Sequence, residues 1–169
     1  MTRLETSYPC ASKRGIVDLG YAAAYPSIDG LVQISEAGVS IVSSSIYSVD
    51  QWRDLGPDTM VAAQFRGGYA FTHNEPGTAN RRLSWIDVSA QQPYVIEIPN
   101  TESANTNYRH LQFEAKTGQL HGLEYTGADP RVIYSIGDTQ TAYSNGIWRS
   151  KPYRVPAPVP FGVIYVDAA

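Results

Sequence analysis

The stretch that decides the fold is residues 60–73, which read MVAAQFRGGYAFTH. Apolar and β-favouring side chains run along both halves of this stretch, and Arg66-Gly67-Gly68-Tyr69 lies between them. Glycine supplies the positive φ angles that a tight hairpin needs. The stretch therefore predicts two antiparallel strands, over 60–66 and 69–73, joined by a hairpin.

The same pattern extends along most of the chain. Two further turns, Ile28-Asp29-Gly30-Leu31 and Lys116-Thr117-Gly118-Gln119, predict hairpins near residues 29 and 117. Short apolar runs broken by Gly, Asp, Asn or Pro predict strands throughout. The predicted strands are 15–19, 22–26, 31–35, 40–44, 60–66, 69–73, 83–88, 94–98, 110–114, 119–125, 131–136, 146–153 and 162–166.

The spacing of the three hairpins suggests a fold class. They lie about 38 and then about 50 residues apart, close to the roughly 40–50 residues of one four-stranded propeller blade. We therefore expect an all-β fold of antiparallel propeller-like blades, forming a partial propeller. An ordinary β-sandwich or barrel with irregular hairpins fits the periodicity equally well.

Two segments depart from the strand pattern. Residues 48–55 predict a short helix with Ser48 as its cap and Gln51 three positions on, and Val49, Trp52 and Leu55 would share its buried face. Proline at every second position of 156–160 favours an extended connector. We expect a propeller-like domain over 1–154, followed by a proline-rich connector and terminal strand over 155–169.

Composition and charge bear on the partners. Charged residues make up 17% of the chain, below the roughly 25% usual for soluble domains, so partners are expected to cover part of the surface. A net charge of −3 argues against a protein that wraps nucleic acid, although passive contact with DNA is compatible with it. No apolar run approaches the roughly 20 residues that cross a bilayer, so no membrane span is expected.

No arrangement of residues points to catalysis, a cofactor or a metal. The chain has no Gly-X-Ser-X-Gly motif, no phosphate-binding glycine loop and no His-Glu-X-X-His motif. Cys10 is the one cysteine, and His73, His110 and His121 share no short spacing. We therefore expect no enzymatic activity, no cofactor and no metal site.

The residues singled out are candidates for an interface or a structural motif. Basic residues cluster at Lys13-Arg14 and again around residues 149–154, while 74–82 is expected to be an exposed contact loop. The predicted turn at 28–31 and the predicted helix at 48–55 supply further candidates. The candidates are Ser12, Lys13, Arg14, Asp29, Gly30, Trp52, Trp148, Arg149, Lys151 and Arg154.

Two pairs of segments carry a family resemblance. The first pair is CASKRGIVDLG at 10–20 with AYPSIDGLV at 24–32, and the second is IWRSKPY at 147–153 with PVPFGV at 158–163. Both resemble the C-terminal part of the propeller-bearing tail hub or nozzle proteins of short-tailed bacteriophages, a group that includes packaged-DNA stabilisation proteins. The resemblance extends over nearly the whole chain, and its motifs are structural.

The resemblance implies a role in the virion. Such proteins look like rings of subunits below the portal that seal the packaged genome and conduct it during ejection. The resemblance implies a homo-oligomeric ring with other tail or portal proteins as partners. It also implies that the chain is made in the host bacterial cytoplasm and is located in the virion tail. Relatives have much more β-structure before the Ser-Lys-Arg motif, so a fragment, a split-gene product or a trimmed descendant is expected. Twelve Tyr and three Trp keep open the alternative of a glycan- or receptor-binding β-protein of the virion.

Overall fold

The structure, a computed structural model, describes residues 7–75, 77, 81–90, 93–98, 108–124 and 132–136. This part of the chain contains three 3-10 turns, at Lys13–Gly15, Val42–Ser45 and Pro57–Thr59. The helix and strands in this part of the chain are α1 (Val49–Asp54), β1 (Val17–Asp18), β2 (Ala23–Ser27), β3 (Gly30–Ser35), β4 (Gly38–Ile41), β5 (Ala62–Phe65), β6 (Gly68–Asn74), β7 (Arg81–Ile86), β8 (Val95–Ile98), β9 (Tyr108–Glu114), β10 (Gln119–Glu124) and β11 (Val132–Ile136).

The strands form three antiparallel meanders, in which each strand pairs with its neighbour in the chain. Sheet 1 has the order β1-β2-β3-β4, sheet 2 the order β5-β6-β7-β8, and sheet 3 the order β9-β10-β11. Every described strand pair is antiparallel. The predicted all-β, antiparallel class is confirmed, and none of the three sheets closes on itself in the part that the structure describes.

Sheet 2 lies between the other two sheets and is buried on both faces. Its strand β6 is buried continuously from Gly68 to His73, as expected for a strand covered on both sides. Tyr69 and Phe71 pack with Val17 and Leu31 of sheet 1 and its flanks in one apolar cluster. The intervening Ala70 packs with Leu111 of sheet 3 in a second cluster. The core therefore consists of two layers, one on each face of sheet 2.

The first strands of the three sheets lie side by side. They begin at Val17, Ala62 and Tyr108, so their starts are 45 and 46 residues apart. Strand β5 lies against both β1 and β9. The repeat is more even than the hairpin spacing suggested, because the hairpin near residue 29 joins the second and third strands of its sheet. The hairpins near 67 and 117 each join the first and second strands.

The three predicted hairpins all form, with different turn geometries. Between Phe65 and Gly68, Arg66 and Gly67 both have positive φ, 48° and 77°, as a type I′ turn requires. The first hairpin is displaced by one residue, because Ser27 pairs with Gly30 and the turn consists of Ile28 and Asp29. The third is a four-residue turn that closes between Glu114 and Gln119.

The predicted helix is confirmed, with one correction to its buried face. The Ser48 hydroxyl accepts a bond of 3.2 Å from the Gln51 amide, and the Gln51 side chain accepts one of 2.9 Å from the Ser48 amide. Trp52 is 1% exposed, which confirms it as a core residue, and Leu55 is also buried. Val49 is 44% exposed, however, because it lies in the first turn, outside the apolar cluster that holds the other two.

Several predicted strands are wrong at their ends, including 60–66, which is Ala62–Phe65, and 83–88, which is Arg81–Ile86; two others show a common cause. Predicted strand 15–19 is reduced to Val17–Asp18, since Gly15 belongs to a 3-10 turn. Predicted strand 40–44 ends at Ile41 and is followed by a 3-10 turn, in which the Ser43 hydroxyl accepts a 2.8 Å bond from the Leu31 amide. In both places a bond to a distant residue replaces ladder pairing. Predicted strands 146–153 and 162–166, and the connector 155–169, lie outside the described residues.

No helix in the described part of the chain is long and apolar enough to cross a bilayer.

Candidate functional site

The Ser12-Lys13-Arg14 motif forms a turn that is fixed to sheet 2. Ser12 is buried, and its hydroxyl donates a 2.7 Å bond to the carbonyl oxygen of Met60. The Tyr69 hydroxyl donates a 2.6 Å bond to the carbonyl oxygen of Gly15. Lys13 and Arg14 are exposed. The motif therefore anchors the chain through Ser12 and Gly15 while presenting two cations on the surface.

Asp29, Gly30 and Trp52 are brought together where α1 lies on the β2–β3 hairpin. The Trp52 indole donates a 2.7 Å bond to the carbonyl oxygen of Ser27, and Arg53 pairs with Asp29 at 3.0 Å. Gly30 lies under Ile41 and Ser43, where a Cβ atom would be only 2.8 Å from the Ser43 hydroxyl oxygen. These three candidates thus share a structural role, the attachment of the helix to the hairpin.

Trp148, Arg149, Lys151 and Arg154 lie outside the described residues, so their role at an interface stays a prediction.

Arg81 is a buried cation that the sequence reasoning missed. The sequence predicts an exposed loop over 74–82, but β6 continues to Asn74 and β7 begins at Arg81, which is 8% exposed. Its Nη2 donates to the carbonyl oxygen of Thr59 at 2.6 Å and to the Thr72 hydroxyl at 3.0 Å. A signal was available in the alternation of side chains along the strand. If predicted strand 83–88 is extended back by two residues, Arg81, Leu83 and Trp85 lie on one face of it.

Two further arginines act on Arg81. Burial is the main cause that lowers the pKa of Arg81, and the charges of Arg109 and Arg14 lower it further, while Asp58 opposes them. Arg14 and Arg109 are both exposed. Arg109 is the extra residue of a β-bulge, because Tyr108 pairs with Glu124 and His110 pairs with Leu123. A bulge interrupts side-chain alternation and can redirect a side chain. Arg14 of the first turn and Arg109 of sheet 3 therefore both lie close enough to Arg81 to lower its pKa.

A buried histidine and serine form a second polar group, on the face of sheet 2 toward sheet 1. Nε2 of His73 lies 2.9 Å from the Ser84 hydroxyl, and Nδ1 lies 2.9 Å from the carbonyl oxygen of Asn74. Burial is the main cause that lowers the pKa of His73. A carbonyl oxygen can only accept, so Nδ1 of the neutral ring carries the hydrogen and donates to it, and Nε2 accepts a hydrogen bond from the Ser84 hydroxyl.

This pair has the contact of a nucleophile and its base but not the exposure. His73 is 6% exposed and Ser84 is 2% exposed, so a substrate cannot reach the hydroxyl in this structure. Arg82 beside it pairs with Glu75 at 2.6 Å and lies 3.9 Å from Glu97. His73 and Ser84 are 11 residues apart in the chain, and only the register of β6 with β7 brings them together. Their spacing in the sequence therefore gives no signal of the contact.

Exposed aromatic side chains lie at the loops that follow β1 and β7. Tyr21 is 50% exposed and Tyr94 is 38% exposed. The Tyr94 ring contacts Trp85 edge-on, with ring centroids 5.8 Å apart. Burial, followed by the negative charge of Asp87, raises the pKa of Tyr21. The Asp87 amide donates a 3.2 Å bond to the carbonyl oxygen of Tyr94.

Metal ligands do not converge within the ranges that the structure describes, where no group of three or more His, Cys, Asp or Glu side chains is arranged to hold an ion. His121 and Glu114 lie 3.4 Å apart on sheet 3 and form a pair of such side chains without a third. Cys10 is exposed.

Comparison with known proteins finds no matching family model and no matching curated protein.

Proposed function

We propose that the chain is a non-enzymatic structural component of the tail of a short-tailed bacteriophage. Its place is the hub, nozzle or adaptor below the portal, where it helps to seal packaged DNA and to conduct it during ejection. The similarity of residues 10–32 and 147–163 to propeller-bearing tail proteins motivates the role.

The observation that carries the proposal is the stack of three repeated meanders. Each sheet is antiparallel in chain order, successive sheets start 45 and 46 residues apart, and β5 lies between β1 and β9. Propeller blades are related in this way, with their first strands around a shared axis. The three described sheets do not close a ring by themselves, so the proposal includes further sheets from neighbouring chains.

The outer face of sheet 3 supports the need for a partner. Leu123 pairs with Ile133 on this face, which points away from sheet 2, and Ile133 is 70% exposed. The opposite face of the same sheet buries Leu111 and Leu120 against sheet 2. An apolar residue exposed on the outer face of sheet 3, the last sheet that the structure describes, is what a further sheet or a neighbouring chain would cover.

The polar groups favour a structural role over catalysis. Ser12, Ser43 and Ser84 are buried, and each is used in a hydrogen bond that joins separate segments of the fold. Asp29 is held in an ion pair at the helix–hairpin contact. Side chains used in this way hold segments of the fold together.

The role is tested by locating the chain in virus particles. Antibodies against the purified chain are applied to particles from a lysate of the bacterium in which its gene is expressed, followed by gold labelling and electron microscopy. We expect label at one vertex of each capsid, where the tail is attached. Abundant chain in the lysate with none on purified particles would contradict the proposal.

A second candidate function is binding of a glycan or receptor, favoured by the exposed Tyr21 and Tyr94 near Asp87. Aromatic faces with a nearby carboxylate suit sugar stacking and hydrogen bonding. A glycan array with the intact chain tests it, with Tyr21→Ala/Tyr94→Ala as the binding variant and Ile28→Ala as the matched exposed control. Binding that is lost only in the tyrosine variant would favour this function, and an array without signal would reject it.

A further inference from the structure

Exposed apolar side chains lie on either side of the Arg53–Asp29 ion pair. Ile28, next to Asp29 in the β2–β3 turn, is 50% exposed. Val49 is 44% exposed and lies four residues before Arg53, on the same side of α1. The ion pair itself is open to solvent, with side-chain exposures of 50% and 42%. The attachment of α1 to the hairpin therefore leaves an apolar surface next to charged groups.

Exposed carboxylates lie beside these apolar side chains. Asp50 and Asp54 are one turn apart on α1 and are both exposed, and Asp29 contributes a third carboxylate. One guanidinium, that of Arg53, lies among them. Such a surface favours a partner that presents cations next to an apolar side chain. We call it the helix–hairpin surface, and it consists of Ile28, Asp29, Val49, Asp50, Arg53 and Asp54.

The 3-10 turn at Lys13–Gly15 has the complementary features. Lys13 and Arg14 are two adjacent exposed cations, and Ile16, directly after the turn, is 56% exposed. Two buried hydrogen bonds, of 2.7 and 2.6 Å, fix the turn to residues in and next to sheet 2. A turn that is already held in one conformation loses little conformational entropy when it binds. The turn is therefore a preorganised cationic and apolar ligand.

We propose that the Lys13–Gly15 turn of one copy of this chain binds the helix–hairpin surface of a second copy. The two cations of the turn meet the carboxylates, and Ile16 covers the exposed apolar side chains. A contact between two different surfaces can repeat from copy to copy, head to tail, and such contacts close into rings. The inference rests on the proposed structural role and deepens it, because it names a surface through which the copies join.

The test is charge reversal in the purified full chain, with the mass of the species measured by light scattering over a range of concentrations. Lys13→Glu/Arg14→Glu makes the turn acidic, and Asp50→Lys/Asp54→Lys makes the helix–hairpin surface basic. Each variant alone should self-associate about a hundredfold more weakly than the unsubstituted chain, because like charges then face each other. An equimolar mixture of the two variants should associate as the unsubstituted chain does, since each supplies the opposite charge for the other.

The controls separate this contact from a general effect of charge. Glu36→Lys, in the exposed β3–β4 turn, and Lys116→Glu, in the exposed β9–β10 turn, reverse charges outside both surfaces and should leave association unchanged. All of the substituted residues are exposed, so the variants should fold, and circular dichroism checks that they do. Recovery of association in the mixture also shows that both variants are folded.

The proposal is overturned by any of three results. These are an unsubstituted chain that stays monomeric, reversal variants that associate as the unsubstituted chain does, and a mixture that associates no better than its components. Each of these results concerns this contact alone, because the tail role is decided separately by the labelling of virus particles. A chain found on particles whose association ignores the reversals keeps its proposed function and joins its neighbours through another surface.

Discussion

Single residues that join distant segments determine much of this fold. Trp52 packs against Phe71, with ring centroids 6.0 Å apart, and donates to the carbonyl oxygen of Ser27, so one side chain connects the helix to sheets 1 and 2. Its burial could be predicted, because an amphipathic helix places its aromatic residue toward the core. The burial of the polar side chains of Arg81, His73 and Ser84 could not be predicted, since it depends on strand register and on the packing of sheet 2 between two other sheets.

Gly30 is a position where a methyl group should not fit. A Cβ atom there would clash with Ile41 and lie 2.8 Å from the Ser43 hydroxyl oxygen, so Gly30→Ala is expected to lose about 1–3 kcal/mol through overpacking. Gly38→Ala is the control, because Gly38 also has a positive φ, 119°, but open space around it. Urea unfolding measures both, and equal losses would contradict the close packing at Gly30.

His73 predicts a dependence of stability on pH. Burial lowers its pKa in the folded chain below the usual 6.5; Glu97 opposes this, and Arg81 and Arg82 add to it. The unfolded chain therefore takes up the proton first, and the free energy of unfolding should fall as the pH drops below about 6.5.

The measurement is urea unfolding at pH 7.5 and at pH 5. His73→Gln should show a smaller loss between the two values than the unsubstituted chain, whereas His110→Gln, on an exposed residue, should keep the full loss. If all three proteins lose the same free energy of unfolding between pH 7.5 and pH 5, His73 is not the group that causes the pH dependence.

At the scale of elements, local signals were sufficient for most strands and for the helix. Gly and Asp turns between apolar runs predicted the three hairpins, and the Ser48–Gln51 pair predicted the start of α1. Errors arose where bonds between distant residues end a strand, as at Ser43, which bonds the amide of Leu31, 12 residues away. They also arose where charge suggested a loop, as at Arg81 and Arg82, which begin β7.

The capping box is expected to contribute measurably to stability. Ser48→Ala removes the hydroxyl that accepts from the Gln51 amide and should lower the free energy of unfolding by about 1 kcal/mol. Ser45→Ala, at an exposed position of the preceding 3-10 turn, is the matched control and should change little. Thermal unfolding followed by circular dichroism compares them, and an unchanged midpoint for Ser48→Ala would show that packing of Trp52 alone holds the helix.

At the scale of the whole molecule, the arrangement of the sheets follows from which faces are apolar. Strand β6 is apolar or small on both faces, so sheet 2 has to lie in the middle, and Ile133 is left exposed on the outer face of sheet 3. The all-β class could be predicted from alternation and turns. The even repeat of 45 and 46 residues could not be recognised from hairpins alone, because they join different strands of their sheets.

The central claim, a stack of blade-like sheets completed by other chains, is tested most directly by native mass spectrometry of the chain isolated from its natural source without denaturants. We predict an assembly many times the 18.5 kDa mass of one chain that also contains a larger partner. A lone species of 18.5 kDa would contradict the claim and favour an independent binding module.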